Sequence, residues 1–378
     1  MRVVHFAPAV IPTQTHLYNA IAKLVDLHVV YLSELTDQRK GQLWTGFDDQ
    51  WGTEPRYPYQ FSDTRSLSIG ALDLLVAAPR RLGSVLDELK PNVVSVTGWG
   101  LSSISPIRWA RKRHIPTVMY NESGKTSGLL RDPLSNAYRR WMLRGCDAYL
   151  TVGSAATQYV TQLGAAPDRC VESCLPAADV RHGDEATVPE EEEGKLRILW
   201  VGRLNKRKHP EVAVEAFGRI ARQIDGASLT IVGAGPLEAK VRAAAARVGG
   251  PIELLGRVEG ERLAAIYRRH DVLVVTAVRE TWGLVVNEAL AHGLYVIASD
   301  GVGSANYLIE ESTGRVVPAG DVEAFAEALR GFATTRHSRP PRRAAVGRIR
   351  LCTAEAFAEK YLQVFDLAVS RRAAVEGV

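Results

Sequence analysis

The sequence contains no run that approaches the roughly 20 consecutive apolar residues of a membrane-spanning helix. Residues 1–8 also lack the long apolar centre and the small-residue cleavage site of a signal peptide, so we expect them to form a first β-strand. These absences argue against an integral membrane protein and against secretion. We therefore expect a cytoplasmic protein.

Metal-ligand patterns are absent as well. The four cysteines (Cys146, Cys170, Cys174 and Cys352) have no spacing typical of a metal site. The nine histidines are scattered, and no pair stands at ligand spacing. The sequence therefore predicts no metal site.

Two phosphate-binding motifs are also missing. No G-x-x-x-x-G-K-[ST] loop is present, which argues against phosphoryl transfer. Gly233 and Gly235 begin like the dinucleotide fingerprint G-x-G-x-x-G, but Glu238 stands where the third glycine is needed. A nicotinamide-dependent dehydrogenase is therefore disfavoured, and Pro236 is instead predicted to be the first residue of a helix.

The composition is that of a globular protein, with 46% hydrophobic and 24% charged residues over 378 positions. The net charge of +5 suits a nucleotide substrate, an anionic membrane or nucleic acid without choosing between them. No nucleic-acid recognition module is present. Two basic, aromatic patches at residues 108–113 and 138–144 are candidates for peripheral membrane contact, and solvated helix faces are the alternative.

Apolar, β-branched runs alternate with segments of helical periodicity, which predicts a doubly wound α/β architecture. The alternation stops over residues 181–195, where four consecutive glutamates indicate an exposed linker, and restarts at Leu196. We predict an N-terminal Rossmann-like domain (1–183), an acidic linker (184–195), a C-terminal Rossmann-like domain (196–350) and a last helix within 351–378. A deep cleft is expected between the two domains. In detail, helices are predicted over residues 67–89 and an irregular aromatic stretch over 37–66.

The segment from Glu280 to Glu288 follows an apolar run that reads as a buried parallel strand. A helix is predicted to start near Gly283, and its unpaired N–H groups would carry about half a positive charge. This is an anion site at the strand end where open α/β sheets bind ligands. Apolar neighbours surround Glu288, so its carboxylate needs a hydrogen-bonding partner, for which a ribose diol would serve. The alternative is a solvated helix face.

A basic loop follows the first strand of the second domain. Arg203 can donate planar two-point hydrogen bonds, and Lys208 supplies a point charge. Together with the predicted helix start near Gly283, this loop predicts a diphosphate site. Taken alone, it would be a solvated surface loop.

These residues together resemble glycosyltransferase family 4, whose members are retaining enzymes of the GT-B fold. The resemblance rests on Glu280 and Glu288 with seven residues between them, on Trp282-Gly283-Leu284, and on Val201-Gly202-Arg203 with Lys208. It is specific over residues 196–330 and weaker in the first domain. It implies a nucleotide sugar bound mainly by the second domain and an acceptor bound mainly by the first. It also implies that no metal cofactor is needed and that the last helix crosses back onto the first domain.

The resemblance implies a role for each matching position. Arg203 and Lys208 would hold the diphosphate as it leaves, Glu288 would bind the ribose hydroxyls, and Glu280 would contact the donor sugar. The N–H groups of residues 283–285 would meet the sugar or phosphate, and the backbone near residues 257–258 would face the base. The implied donor-binding positions are Gly202, Arg257, Val258, Thr281, Trp282, Gly283, Leu284, Val285 and Glu288.

The acceptor side is less well defined. Loops at the carboxyl ends of first-domain strands provide the candidates Thr15, Gly98, Trp99, Asn121 and Glu122. The aromatic stretch 37–66 is a further candidate for acceptor binding, with capping of the core as its alternative. The family often has a glycine where His209 stands, a glycine-rich loop where residues 12–15 stand, and a histidine near Asn121 and Glu122. Acceptor and sugar identity stay open.

The sequence therefore predicts a retaining glycosyltransferase that moves a sugar from a nucleoside-diphosphate sugar to an acceptor hydroxyl of a small molecule, natural product, glycan or lipid-linked compound. Two alternatives are a nucleotide-sugar epimerase of similar architecture and a non-catalytic nucleotide-sugar-binding protein. A glycosidase fits poorly, because eight residues of helix separate two backbones by roughly 12 Å, whereas hydrolases need carboxyls about 5–9.5 Å apart.

Overall fold

The computed structural model describes residues 1–8, 10, 12–32, 54–62, 66–69, 72–77, 82–123, 133–176, 195–335, 349 and 352–377. The chain divides into two compact units, one comprising Met1–Ala178 with Ala354–Val378 and the other Asp179–Thr353. The acidic linker falls outside the described residues except for Lys195, and so do residues 37–53 of the aromatic stretch. The predicted domain boundaries and the cleft stay predictions.

The first unit is built around one parallel sheet. Its elements are β1 (Arg2–Ala7), α1 (Pro12–Ala22), β2 (Asp26–Tyr31), β3 (Tyr59–Phe61), β4 (Ser66–Ile69), β5 (Leu72–Ala77), α2 (Leu82–Leu89), β6 (Val93–Thr97), α3 (Ile104–Lys112), β7 (Thr117–Asn121), α4 (Pro133–Arg144), β8 (Ala148–Val152), α5 (Gly153–Gln162), β9 (Cys170–Ser173) and the last helix, α12 (Ala354–Glu376).

The sheet order of the first unit is β3-β2-β1-β6-β7-β8-β9, and every pair in it is parallel. The strand order reverses between β1 and β6, so the loops after these two strands leave the sheet side by side. Such a switch point is where open α/β sheets bind ligands. Because both faces of the sheet are covered, the strands read as nearly continuous apolar runs.

The second unit repeats the architecture. Its elements are β10 (Leu196–Val201), α6 (Pro210–Ile220), β11 (Ala227–Val232), α7 (Glu238–Val248), β12 (Ile252–Gly256), α8 (Gly260–Arg269), β13 (Val272–Val275), α9 (Leu284–Ala291), β14 (Tyr295–Ser299), α10 (Ala305–Leu308), β15 (Gly314–Val317) and α11 (Val322–Thr335).

The second sheet has the order β12-β11-β10-β13-β14-β15, again fully parallel. In order of appearance this is 3-2-1-4-5-6, the dinucleotide-fold order, with its switch point between β10 and β13. The prediction of two doubly wound α/β units is confirmed. The switch point brings together the loops that carry Lys208 and Glu280.

Three local predictions were wrong. Ser66–Ile69 and Leu72–Ala77 are paired antiparallel strands rather than a helix, with Leu67 opposite Val76, and the helix that the structure describes within residues 67–89 is Leu82–Leu89. Tyr59–Phe61 is a parallel edge strand inside the stretch predicted to be irregular. The helix expected from Pro236 begins at Glu238, because residues 235–237 first form a turn.

The last helix belongs to the first unit. Its apolar stripe is buried there, with Phe357, Tyr361, Val364 and Phe365 each at most 2% exposed. The Tyr361 ring lies against His5 and Tyr120, and the Arg372 guanidinium is 2.7 Å from the Asp147 carboxylate. No helix within the described residues is long and apolar enough to cross a membrane.

Candidate functional site

Lys208 and Glu280 form an ion pair at the switch point of the second sheet. Lys208 follows β10 and Glu280 follows β13, and Lys208 Nζ lies 2.6 Å from Glu280 Oε2. Both side chains are largely buried, at 15% and 12% exposed, while the more exposed Arg207 lies 3.7 Å from the same carboxylate oxygen. Two residues separated by 72 positions thus become one charged centre at the predicted ligand edge.

A buried hydrogen-bond chain fixes the main chain at Lys208. Trp200 Nε1 donates to Thr276 Oγ1 at 2.9 Å, and that hydroxyl lies 2.9 and 2.8 Å from the carbonyl oxygens of Lys208 and His209. Val278 N also donates to the Arg207 carbonyl at 3.0 Å. The loops after β10 and β13 are therefore tied together. The sequence analysis missed Thr276, whose role depends on a tertiary contact.

His209 adopts the left-handed helical conformation, with φ 52° and ψ 51°, directly before α6. This explains why a glycine suits the position, since only glycine enters that region without steric cost. The His209 Nδ1 atom is also shielded from solvent with no hydrogen-bond partner among the described residues. The histidine is thus held in a strained backbone next to Lys208.

Replacing His209 with glycine is expected to give a protein more stable than replacing it with alanine, by about 1 kcal/mol. Both variants remove the unpartnered ring nitrogen, but alanine retains the cost of about 1–2 kcal/mol for an L-residue in the left-handed region. Thermal or urea unfolding of the two variants measures the difference. Equal stabilities would show that the backbone strain is relieved by local adjustment.

The segment after β14 clamps the turn that carries Glu280. Glu280 N donates to the Gly301 carbonyl at 2.9 Å, and Gly303 N donates to the Glu280 carbonyl at 3.1 Å. A Cβ atom at Gly301 would lie 2.5 Å from the Val278 carbonyl oxygen, so the close approach requires glycine there. Ser304 Oγ completes the clamp by hydrogen bonding to the Trp282 carbonyl at 2.7 Å. The sequence analysis missed this segment, although its G-x-G-S pattern after a strand was visible.

The N-terminus of α9 is uncapped. Gly283, the residue that precedes the helix, has φ 99° and makes no side-chain capping hydrogen bond. Among the described residues, the N–H groups of Gly283, Leu284 and Val285 have no hydrogen-bond acceptor, whereas Val286 N donates to the Gly283 carbonyl. Free amides and the positive end of the helix dipole together favour an anion at this position.

Glu288 is held by Tyr267 and His292. The Tyr267 hydroxyl donates to Glu288 Oε2 at 2.7 Å, and His292 Nδ1 donates to the Glu288 carbonyl at 2.8 Å. The Tyr267 and His292 rings stack at 5.2 Å. Burial raises the pKa of Glu288, while the Tyr267 hydrogen bond and the Lys208 charge oppose the rise. Lys208 therefore acts on both glutamates.

The Trp282 side chain points into the interior of the second unit. It is 3% exposed, and its Nε1 donates to Asn287 Oδ1 at 2.9 Å. The indole is therefore a structural anchor of the turn, and only its main chain is available to a ligand. Thr281 is partly exposed beside it. Asn287, a buried partner on α9, is a further residue that the sequence analysis missed.

The remaining predicted donor residues lie on loops at the same carboxyl edge. Gly202 N donates to the Val232 carbonyl, and Gly233 N to the Gly256 carbonyl, which ties together the ends of β10, β11 and β12. The Arg203 side chain is exposed directly after Gly202. Arg257 is exposed and lies 2.5 Å from Glu259, while Val258 is partly buried. The described residues contain no cluster of three or more acidic, histidine or cysteine side chains placed to hold a metal ion.

In the first unit, two acceptor candidates have side chains that are buried in the interior. Thr15 is 1% exposed and lies against Tyr57. Asn121 is fully buried, and its amide closes a turn by bonding the main chain of Ser123 at 3.0 and 3.2 Å. Neither side chain is free to meet an acceptor, because both serve the interior of the first unit.

The other acceptor candidates remain available at the carboxyl edge of the first sheet. Gly98 has φ 63° and open space around it, and Trp99 is partly buried against the Tyr159 ring. Glu122 is partly buried and accepts a hydrogen bond from the Tyr120 hydroxyl, and burial raises its pKa. These residues follow β6 and β7, next to the switch point of the first sheet.

Comparison with known proteins matches two segments of the chain to glycosyltransferase family models. Residues 184–346 match the family described as Glycosyl transferases group 1, and residues 12–172 match the Glycosyl transferase 4-like domain. A glycogen synthase of Mycobacterium tuberculosis is 29% identical over 252 residues, which cover 64% of this chain and 60% of that protein. The matched stretch is therefore less than two thirds of that relative.

Solved structures show the same architecture. A lipopolysaccharide outer core galactosyltransferase superposes with a TM-score of 0.73 at 16% identity, over 96% of this chain and 99% of its own. The Anabaena protein HepE in complex with UDP superposes with a TM-score of 0.66 at 15% identity, over 100% of both chains. At these identities the likeness shows the fold alone. The chain belongs to glycosyltransferase family 4 and has the GT-B fold.

Proposed function

We propose that this protein is a retaining glycosyltransferase that uses a nucleoside-diphosphate sugar. The observation that carries the proposal is the Lys208–Glu280 pair beside the uncapped start of α9, with Glu288 held in place one and a half turns further on. Cations and bare amides suit a diphosphate, and a carboxylate held by one hydrogen bond still has acceptor capacity for ribose hydroxyls. The Anabaena neighbour solved with UDP supports the same ligand class.

In the proposed reaction, the acceptor oxygen forms a bond to the anomeric carbon while the bond from that carbon to the diphosphate oxygen breaks. The acceptor proton passes to the departing diphosphate on the same face, so the anomeric configuration is retained. Lys208 and Arg203 stabilise the negative charge that develops on the leaving group, and the α9 amides add fixed dipoles. Glu280 orients Lys208 and contacts the donor sugar. Gly98 and Glu122 are proposed to lie on the acceptor side.

The test is turnover with UDP-, GDP-, ADP- and dTDP-sugars, chosen first by thermal shift. A donor present at a hundred times its dissociation constant should raise the free energy of unfolding by about 2.7 kcal/mol. NMR of the reaction with an acceptor panel should then show a product of retained configuration. An epimer formed from the nucleotide sugar alone would contradict the proposal in favour of an epimerase, and binding without any turnover would favour a sensor.

Replacing Tyr267 with phenylalanine is expected to weaken donor binding by about fivefold to tenfold, with a smaller effect on kcat. The change removes the hydroxyl that donates to Glu288 but keeps the ring stacked on His292. A hydrogen bond to a charged group is worth about 1.5–3 kcal/mol, and water recovers part of it. Isothermal titration with the donor measures the loss.

The matched control for Tyr267 is Tyr31→Phe, which removes a buried hydroxyl bonded to Tyr57 at 2.7 Å in the first unit. That variant should lose stability without any change in donor affinity. If both variants weaken donor binding equally, the effect is general destabilisation and Tyr267 has no positioning role.

A further inference from the structure

A pocket lies at the opposite end of the first sheet's strands from the acceptor candidates. It has a volume of about 140 Å³ and is lined by Arg140, Leu143, Arg144, Tyr149, Leu163, Gly164 and Arg169. Tyr149 stands near the start of β8, and Arg169 directly precedes β9, so the pocket is at the amino ends of these strands. Gly98 and Glu122 follow the carboxyl ends of β6 and β7. The pocket is therefore separate from the proposed acceptor loops.

The lining carries three arginines and no carboxylate. Nearby acidic side chains are already paired, since Asp168 lies 2.7 Å from Arg371 and Asp147 lies 2.7 Å from Arg372. Among the described residues, no acidic group pairs with Arg140, Arg144 or Arg169. Asp168 offsets part of the charge of Arg169. The three guanidinium groups around one small cavity still repel one another, and an anion between them would reduce that repulsion.

The Arg169 side chain shows an unmet hydrogen-bonding need. Its Nε is shielded from solvent and has no hydrogen-bond partner among the described residues. A buried donor without an acceptor costs about 1–3 kcal/mol. The Tyr149 hydroxyl donates to the Leu143 carbonyl at 2.7 Å and accepts a hydrogen bond from the Arg169 side chain, but Arg169 Nε is still left without a partner among the described residues.

We propose that this pocket binds a phosphoryl group. Arginine is the side chain best suited to phosphate, because its planar guanidinium donates two parallel hydrogen bonds and stays charged at all physiological pH values. The same chemistry is offered by a soluble phosphate ester and by the headgroup of an anionic lipid. Leu134 lies on the same helix as Arg140 and Arg144 and is 82% exposed. Because an exposed apolar side chain can insert into a membrane surface, the lipid headgroup is tested separately.

The test compares Arg140→Gln/Arg144→Gln with Lys112→Gln/Arg113→Gln. Both double variants remove two exposed charges in or directly after a helix of the first unit, but only the first pair lines the pocket. The control also breaks the exposed ion pair of Arg113 with Asp87, which lies 2.9 Å away. Inorganic phosphate is titrated into each protein by calorimetry, and Lys208→Met identifies any binding at the proposed donor site. We expect the pocket variant to lose about tenfold or more in phosphate affinity, or about 1.4 kcal/mol, and the control variant and Lys208→Met to retain it.

The second arm is cosedimentation with phosphatidylcholine vesicles that contain or lack phosphatidic acid. Binding that requires phosphatidic acid and is lost in Arg140→Gln/Arg144→Gln identifies a lipid headgroup. Phosphate binding to the pocket without such vesicle binding identifies a soluble phosphate ester. The proposal is overturned if wild-type protein shows no phosphate binding that depends on Arg140 and Arg144. It is equally overturned if the control variant loses as much affinity, since the effect would then be general charge attraction.

Discussion

Replacing Lys208 with methionine is expected to lower kcat by about 10²–10³, the usual cost of losing one group that stabilises developing negative charge. Methionine keeps most of the length and apolar volume of the lysine but removes the ammonium group. In the structure that group lies 2.6 Å from Glu280 Oε2 and also acts on Glu288. Steady-state kinetics with the donor that gives turnover measures the effect.

The same substitution also affects stability, which provides the control. Glu280 is 12% exposed, so removing Lys208 leaves a largely buried carboxylate whose one remaining cationic partner, within the part of the chain that the structure describes, is Arg207 at 3.7 Å. Breaking a buried pair from one side costs about 3–5 kcal/mol, and the remaining exposure here reduces that figure. The double variant Lys208→Met/Glu280→Gln should recover stability, because no charge is left unpaired. It should not recover kcat. Recovery of both would assign Lys208 a structural role only.

Replacing Glu288 with glutamine is expected to weaken donor binding by about 10- to 100-fold, which corresponds to roughly 1.5–3 kcal/mol for a charged hydrogen bond. The ionised carboxylate can accept from Tyr267 and from two ribose hydroxyls, whereas an amide has one acceptor oxygen. Calorimetric titration with the donor measures the change. Glu238→Gln, on the exposed face of α7 beside Arg242, is the matched control and should bind normally.

The pH dependence of Glu288 gives a second signature. Burial raises its pKa above the ordinary value of 4.5. Donor affinity should therefore fall as the pH drops through that raised pKa, because the protonated carboxyl loses acceptor capacity. Stability should move in the opposite direction. A carboxyl that binds its proton more tightly in the native state stabilises the fold at low pH, and that contribution is lost as the pH rises through the window above 4.5. Glu288→Gln should abolish both dependences, and their persistence in this variant would contradict the assignment.

The parts of the site that could be predicted from the sequence are those that depend on local pattern. The apolar run before Glu280 is a strand, the glycine at 283 follows it, and the basic residues follow β10. The parallel order of the sheet then brings the ends of these strands together. The sequence alone therefore indicated the Lys208 and Glu280 loops as neighbours, although the 2.6 Å ion pair required the structure.

What could not be predicted depends on contacts between distant segments. Thr276 lies inside an apolar strand, and nothing local shows that its hydroxyl reaches the carbonyls of residues 208 and 209. Tyr267 reaches Glu288 from another helix, and Ser304 closes the turn at Trp282 from the next loop. Thr15 lies in the first turn of α1 and Asn121 ends β7, both after strands as predicted for ligand residues, but tertiary packing buries both side chains.

The wrong prediction of helices over residues 67–89 can be explained from the sequence. Ser66, Leu67, Ser68 and Ile69 alternate polar and apolar residues with period two, which is the strand pattern, and in the structure they pair with Leu72–Ala77. The leucine and alanine content of the following residues favoured a helix. The two-residue periodicity should have outweighed the intrinsic helix propensity, because helix propensity is the weaker signal.

The central claim is that Lys208 and the free amides of α9 bind the diphosphate of the donor. The most direct test is calorimetric titration of UDP, GDP and ADP into the wild-type protein and into Lys208→Met. The nucleoside of each is titrated for comparison. The account predicts that the substitution lowers the affinity for the nucleoside diphosphate by about tenfold or more, or about 1.4 kcal/mol. The affinity for the nucleoside should stay unchanged. Equal affinity of both proteins for the diphosphate would contradict it.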